Sequence, residues 1–203
     1  GPEQGYVRGR RFLHPELRLA FDVPAGYRMR NGQTQVTAQG PGGIMVFAGA
    51  PKAQGRDPAI YLRDVWAKGK RLQALTRIDV NAMVGATALA RARVQGGTRT
   101  VRLAVVRYDR ETTYRFLFVP ADAGPPERLA NTVLGSFRRL SAAQAAALEP
   151  RRIRLYTVQR GDTQESLARR LPYDDLPLRR FQVLNALEPG ERLQPGQTVK
   201  LVE

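Results

Sequence analysis

No cysteine occurs among the 203 residues of the chain, and histidine occurs once, at His14. The first absence excludes disulfide frameworks, thiol nucleophiles and cysteine-ligated zinc. The second excludes the H-E-x-x-H helix of zinc proteases, which needs two histidines one turn apart. A Ser-His-Asp triad would have to use His14, and no G-x-S-x-G is present to supply its nucleophile. His14 stands before Pro15 in a loop-like run, RFLHPEL, where a structural or incidental role is expected. Carboxylates are present, but no spacing singles out a catalytic pair. No apolar run approaches the roughly 20 residues that cross a bilayer. The opening GPEQG lacks the charged-apolar-small order of an export signal. Gly1-Pro2 reads as a protease-cleavage scar, so residues 1–9 are expected to be a tag remnant and flexible lead-in.

Lysine is scarce too: only Lys52, Lys68, Lys70 and Lys200 occur, so arginine carries most of the net charge of +15. From residue 151 onward, ten Lys/Arg stand against seven Asp/Glu, a net of +3, which leaves +12 in residues 1–150. Such a balance brings nucleic acid or an anionic envelope surface into consideration. The charge is spread out, with no block of five or six like residues, which favours a solvated surface over a nucleic-acid footprint. The aromatic-plus-basic strand signature of RNA-binding sheets is missing. A hydrophobic fraction of 42% supports a packed core and argues against disorder.

Strand patterns cover RLAFDV (18–23), TQVTAQ (34–39) and IMVFA (44–48). Gly40-Pro41-Gly42-Gly43 lies between the last two and leads into a strand, so it is a hairpin connection and no phosphate cradle. Residues 57–70 read as a helix capped by Asp57, with Pro58 at its first position. Ile60 or Tyr61, with Leu62, Val65 and Trp66, forms its apolar face, and Trp66 is expected in the core. Strand signals return at 75–81, 84–94, 98–109 and 112–119. Arg91, Arg93, Arg102, Arg107 and Arg115 sit inside these strands and are expected to reach solvent. A helix over 126–139, with Leu129, Val133, Leu134 and Phe137 as its stripe, completes an α+β domain over 10–140: one antiparallel sheet with packed helices. SAAQAAALEP (141–150), Ala-rich and ended by Pro150, is expected to be a helical spacer or linker, the first part of a linker spanning 141–154.

The last fifty residues change pattern. LYTV (155–158) is a strand, Gly161 permits a tight turn, and Asp162 or Thr163 caps a helix carrying Leu167, Ala168 and Leu171. A second helix begins near Pro177, with Asp175 or Leu176 just before it. It carries Leu178, Phe181, Val183, Leu184 and Leu187 and ends at Glu188-Pro189-Gly190. QTVKLV (197–202) is a final strand. The order is βααβ, in which the two strands pair antiparallel and the helices stack on one face.

Residues 155–203 resemble a LysM domain, a peptidoglycan- and chitin-recognition module. The resemblance is carried by YTVQRGDT (156–163), SLA (166–168), VLN (183–185) and LQPGQTVKL (193–201). It implies a shallow glycan groove between the first strand–helix loop and the loop after the second helix. By position, that groove would use Gly161, Asp162, Thr163 and Gln164, faced by Leu187, Glu188 and Pro189. Asn185 matches a structural asparagine of the family. Two features depart from the pattern: Gln164 stands where the family has an apolar residue, and 172–177 differs from the usual short connection. Gln164 either lines the groove and offers its amide to a sugar, or marks a LysM fold kept for packing or docking alone.

The larger domain is similar to the PsbP/Mog-like α+β fold, through FLHPELRLAFDVPAGYRM, YRFLFVP and SFRRL. No site residue is carried over from it. The two parts in this order resemble the C-terminal region of bacterial exported zinc metalloproteases of the HtpX/BepA-like class. That resemblance implies a periplasmic accessory region of a zinc metalloendopeptidase that acts on misassembled envelope proteins. Its zinc would belong to a catalytic domain elsewhere, and no cofactor is expected in this chain. The partners it implies are peptidoglycan or another N-acetylated glycan, together with envelope proteins or the parent protease domain.

Overall fold

A computed structural model of the chain describes residues 5–148 and 151–203. The reading of Gly1-Pro2 as a scar, and the part of the linker at 149–150, lie outside the described residues. The chain divides into two compact units, 1–149 and 150–203. No helix among the described residues is long and apolar enough to cross a membrane.

The first unit is α+β with entirely antiparallel pairing. A four-stranded sheet runs β1 (Tyr6–Arg8), β2 (Arg11–His14), β3 (Leu19–Asp22) and β11 (Arg138–Arg139). A seven-stranded sheet has the order β4 (Arg28–Asn31), β5 (Gln35–Gly40), β6 (Gly43–Gly49), β10 (Thr113–Pro120), β9 (Gly97–Arg107), β8 (Met83–Val94), β7 (Leu72–Val80). Two sheets thus replace the single one expected. Residues 5–9 are no loose lead-in, because β1 pairs with β2, placing Tyr6 opposite Leu13. Gly5 anchors this entry. A Cβ there would stand 2.8 Å from the Phe12 ring and 2.9 Å from the His14 ring, and φ is +72°.

The strongest strand signals build the core. Along β10, Tyr114, Phe116 and Phe118 point to one face and alternate with half-buried Arg115, Leu117 and Val119. The buried rings join Phe12, Phe21, Phe47 and Phe137 in an aromatic cluster, with Phe47 and Phe137 centred 5.0 and 5.1 Å from Phe116. Helix α2 (Glu127–Ser136) packs there through Leu129, Ala130 and Val133. It stops short of the expected 139. Ser136 Oγ accepts from the Asp22 N–H at 2.7 Å, Phe137 turns extended, and Arg138-Arg139 pair with β3.

The opposite face of the large sheet presents Ala86, Ala88, Ala90, Val101, Leu103 and Val105 to helix α1 (Pro58–Tyr61). Asp57 caps α1 by accepting from the N–H groups of Ala59 and Ile60. The expected helix over 57–70 is shorter: α1 passes into a π turn, Leu62–Trp66, and the chain then reaches Gly69 at φ +78°. Tyr61, not Ile60, faces the core, and Trp66 is half-buried beneath the Arg115 guanidinium. Arg91 and Arg93 reach solvent as expected, Arg107 and Arg115 are half-buried, and Arg102 is largely covered. Its side chain is 15% exposed, bonded to Thr87 and to the Glu127 carboxylate.

Within the expected linker, Ala142–Leu148 form helix α3. Ser141 and Gln144 cap it reciprocally, and Ala145 packs with Leu13, Ala20 and Leu140. Its first part is therefore a docked helix rather than a free spacer.

The second unit has the expected βααβ order: β12 (Ile153–Thr157), α4 (Gln164–Ala168), α5 (Pro177–Asn185) and β13 (Thr198–Val202). β12 and β13 pair antiparallel, with Tyr156 opposite Val199. Val158, Leu167, Phe181, Leu187, Val199 and Leu201 form its core. Val183, expected on the apolar stripe of α5, is 65% exposed.

Candidate functional site

The stretch between β12 and α4 is built by its own side chains. Gly161 adopts φ +93° with open space around it, so backbone freedom is what the position requires. Asp162 Oδ2 accepts from the Tyr156 hydroxyl at 2.9 Å and from the Gln159 N–H at 2.7 Å. Thr163, rather than Asp162, is the helix cap. Its Oγ1 accepts from the Ser166 N–H, while Ser166 Oγ accepts from the Thr163 N–H.

The facing loop follows α5. Ala186 takes a left-handed conformation, φ 51°, and the Leu187 N–H bonds back to the Gln182 carbonyl. Glu188-Pro189-Gly190-Glu191 is then a tight turn. Pro189 supplies the fixed φ, Gly190 the positive one, and the Glu191 N–H donates to the Glu188 carbonyl. The Glu188 N–H donates to Glu191 Oε2 at 2.9 Å.

Gln164 joins the two loops. It is 4% exposed. Its Nε2 donates to the Glu188 carbonyl at 3.0 Å and to the Glu191 carbonyl at 2.7 Å. Its Oε1 accepts from Gln182 Nε2 at 2.9 Å. Both amide donors are thus engaged inside the unit, and neither is offered to a groove. Leu187 is also turned inward, as part of the core. Gly161, Thr163, Glu188 and Pro189 are exposed, and Asp162 is half-buried. The structure therefore brings the two predicted loops together, but two of the seven predicted residues face the interior.

Three contributors escaped the sequence reading. Gln182 and Tyr156 bond to the predicted residues, and Glu191 supplies a carbonyl and a carboxylate to the turn. A glutamine at 182 between the apolar Phe181 and Val183 was the available signal. Asn185 pins α5 to β13: its Nδ2 donates to the Lys200 carbonyl and its Oδ1 accepts from the Lys200 N–H at 2.6 Å.

Elsewhere, His14 Nδ1 accepts from the Leu17 N–H at 3.0 Å, so the imidazole holds the turn between β2 and β3. Burial lowers its pKa. A cavity of about 390 Å³ beside α2 includes Asp79 and Glu127. Both acids are engaged there, Asp79 by the Ala82 N–H and Glu127 by Arg102. No group of three or more His, Cys, Asp or Glu residues among the described ones could hold a metal ion.

The second unit is thus a small βααβ module whose two loops are drawn together beside its helices. Residues 156–202 match the LysM domain model, which supports a peptidoglycan- or glycan-binding module. LysM domains occur in extracellular and envelope proteins. No curated protein matches the chain. A crystal structure of a protein from Bacteroides thetaiotaomicron VPI-5482 is similar at 12% identity and TM-score 0.50, over 93% of this chain and 65% of that one. This chain thus spans about two thirds of that protein's resolved length. The solution structure of cyanobacterial PsbP (CyanoP) from Synechocystis sp. PCC 6803 is similar at 16% identity and TM-score 0.43, over 68% of this chain and 99% of that one.

Proposed function

We propose that the chain is a non-catalytic accessory region of a periplasmic zinc metalloprotease. Its C-terminal unit holds peptidoglycan or another N-acetylated glycan, and its α+β unit contacts protein. The observation supporting the glycan part is the pairing of loops 159–163 and 187–191 across Gln164, within a segment that matches the LysM model. Acetylamino sugars present an amide and hydroxyls. The N–H groups of Asp162, Thr163 and Glu188 already bond to Gln159, Ser166 and Glu191, so the main chain offers a sugar the Gly161 N–H as donor and the carbonyls of Gly161, Asp162 and Pro189 as acceptors. The protease part rests on the order of the units, α+β then LysM, and on the sequence resemblance.

A pulldown of the full chain on purified peptidoglycan tests the glycan part. Retention at both low and moderate salt is expected. Retention that vanishes at moderate salt would reassign binding to the arginine surface. No retention at either would leave the unit a packing or docking element. A gel shift with DNA or RNA at low salt that falls steeply as salt rises would favour a nucleic-acid partner instead. The sequence of the gene that encodes the chain tests the protease part: an H-E-x-x-H helix is expected in it, and its absence overturns that part.

A further inference from the structure

Gln164 is almost fully buried between the two loops, in a position where a small domain would gain by placing a hydrocarbon. Burying a carboxamide costs free energy unless its polar atoms find partners. Here Oε1 and both hydrogens of Nε2 have partners, and each partner lies outside α4. Two are main-chain carbonyls in the 188–191 turn, and one is Gln182 on α5. The carboxamide thus spans from the first turn of α4 to both ends of the Glu188–Glu191 turn. That turn is also closed on itself by the Glu191 N–H and carboxylate. A leucine could fill the volume, but it would leave the Glu188 and Glu191 carbonyls without this donor and the turn free to move away.

We propose that Gln164 is the positioning residue of the glycan groove. It sets the separation of the two loops before any sugar arrives and contacts no sugar itself. This rests on the glycan reading above and assigns how that site is held. The groove is a preformed slot of one width, because the width is set by hydrogen bonds of fixed length and not by packing that can slide. Preformed sites bind without an ordering cost at the moment of association.

The test uses the full chain, with a tetramer of β-1,4-linked N-acetylglucosamine as probe. Wild type and Gln164→Leu are compared by titration and by amide hydrogen exchange without ligand. Gln164→Leu is expected to keep its circular dichroism, to raise exchange at Glu188 and Glu191 about tenfold or more, and to weaken the probe by a similar factor. Gln164→Glu supplies a signature that packing alone would not. Protonated, it keeps one donor to the turn; ionised, it keeps none. Its affinity is expected to fall relative to wild type as pH rises. The carboxylates nearby, Asp162, Glu165, Glu188 and Glu191, are common to both proteins, so only the difference between the two profiles is read. If Gln164→Leu does not fold, Gln182→Met, which removes only the bond to Oε1, is expected to shift exchange and affinity the same way by less.

Exchange and affinity within twofold of wild type would overturn the proposal. So would weakened binding with unchanged loop exchange, which would make Gln164 a sugar contact. Absence of probe binding by wild type together with no retention on peptidoglycan would overturn the glycan reading and its positioning role with it. Raised loop exchange in Gln164→Leu would then still establish the strut, so the two failures are distinguishable.

Discussion

Asp162 offers the sharpest separation of a turn-holding role from a sugar-contacting one. Its Oδ2 accepts two hydrogen bonds, from the Tyr156 hydroxyl at 2.9 Å and the Gln159 N–H at 2.7 Å. A hydrogen bond contributes about 0.5–1.5 kcal/mol net, and a charged acceptor at a half-buried site places these two at about 1–1.5 kcal/mol each. Asp162→Ala removes both and should cost about 2–3 kcal/mol. In a unit this small, each kcal/mol moves the melting temperature by roughly 4–8 °C, so a fall of about 10 °C or more is expected. Tyr156→Phe removes one bond and should cost about 1 kcal/mol, since the ring stays packed. If the tyrosine hydroxyl acts through Asp162, the double variant costs no more than Asp162→Ala. The cycle then shows a coupling of about 1 kcal/mol. The measurement is urea unfolding followed by Tyr156 and its neighbours in NMR spectra, which keeps this unit separate from the other. Additivity within about 0.3 kcal/mol, or an Asp162→Ala variant as stable as wild type, would refute the assignment and free the carboxylate to face a ligand.

Two further outcomes follow from the described geometry. Burial holds the His14 pKa below 6.5, so the folded first unit keeps the ring neutral while the unfolded chain takes up the proton first as pH falls. The unit should lose stability as pH drops from about 6.5 toward the folded value and be insensitive above it, read as the urea midpoint. His14→Gln, which retains an acceptor for the Leu17 N–H, should remove this slope, and an unchanged slope would discount the histidine. Leu176 precedes α5 at φ 47°, ψ 43°, is 71% exposed and caps nothing with its side chain. A left-handed non-glycine residue costs roughly 1–2 kcal/mol, and glycine's entropy returns part of that, so Leu176→Gly should stabilise the unit by about 0.5–1 kcal/mol. A lower melting temperature would contradict this.

What could be read in advance depended on how many faces of an element meet solvent or core differently. β10 was legible because Tyr114, Phe116 and Phe118 alternate with less buried neighbours, and α2 because Leu129 and Val133 recur at helical spacing. The small sheet was mostly hidden for the opposite reason. In β2, Phe12, Leu13 and His14 are all buried: Phe12 packs toward the aromatic core and Leu13 toward Leu140 and Ala145. A strand covered on both sides shows no alternation. β1 and β11 of this sheet, like β4 of the large one, are two to four residues long, too short for a period to appear. Arg102 was misplaced because its partners, Thr87 and Glu127, lie 15 and 25 residues away on other elements.

The candidate groove shows the same limit at the scale of single atoms. The turns were legible, since Gly161, Pro189 and Gly190 declare backbone shapes that few other residues take. The role of Gln164 was not, because two of its three partners are main-chain carbonyls, which any residue type at 188 and 191 would provide. Only Gln182 is a partner whose identity the sequence carries. A lone glutamine on an apolar face reads either as a ligand contact or as a defect. Two glutamines on different helices, Gln164 sharing a face with Leu167 and Ala168 and Gln182 one turn from Leu178, make a third reading available, a bonded pair inside the core. Such a pair stays folded only when the remaining donors are also satisfied, and here that requirement draws the 188–191 turn against α4.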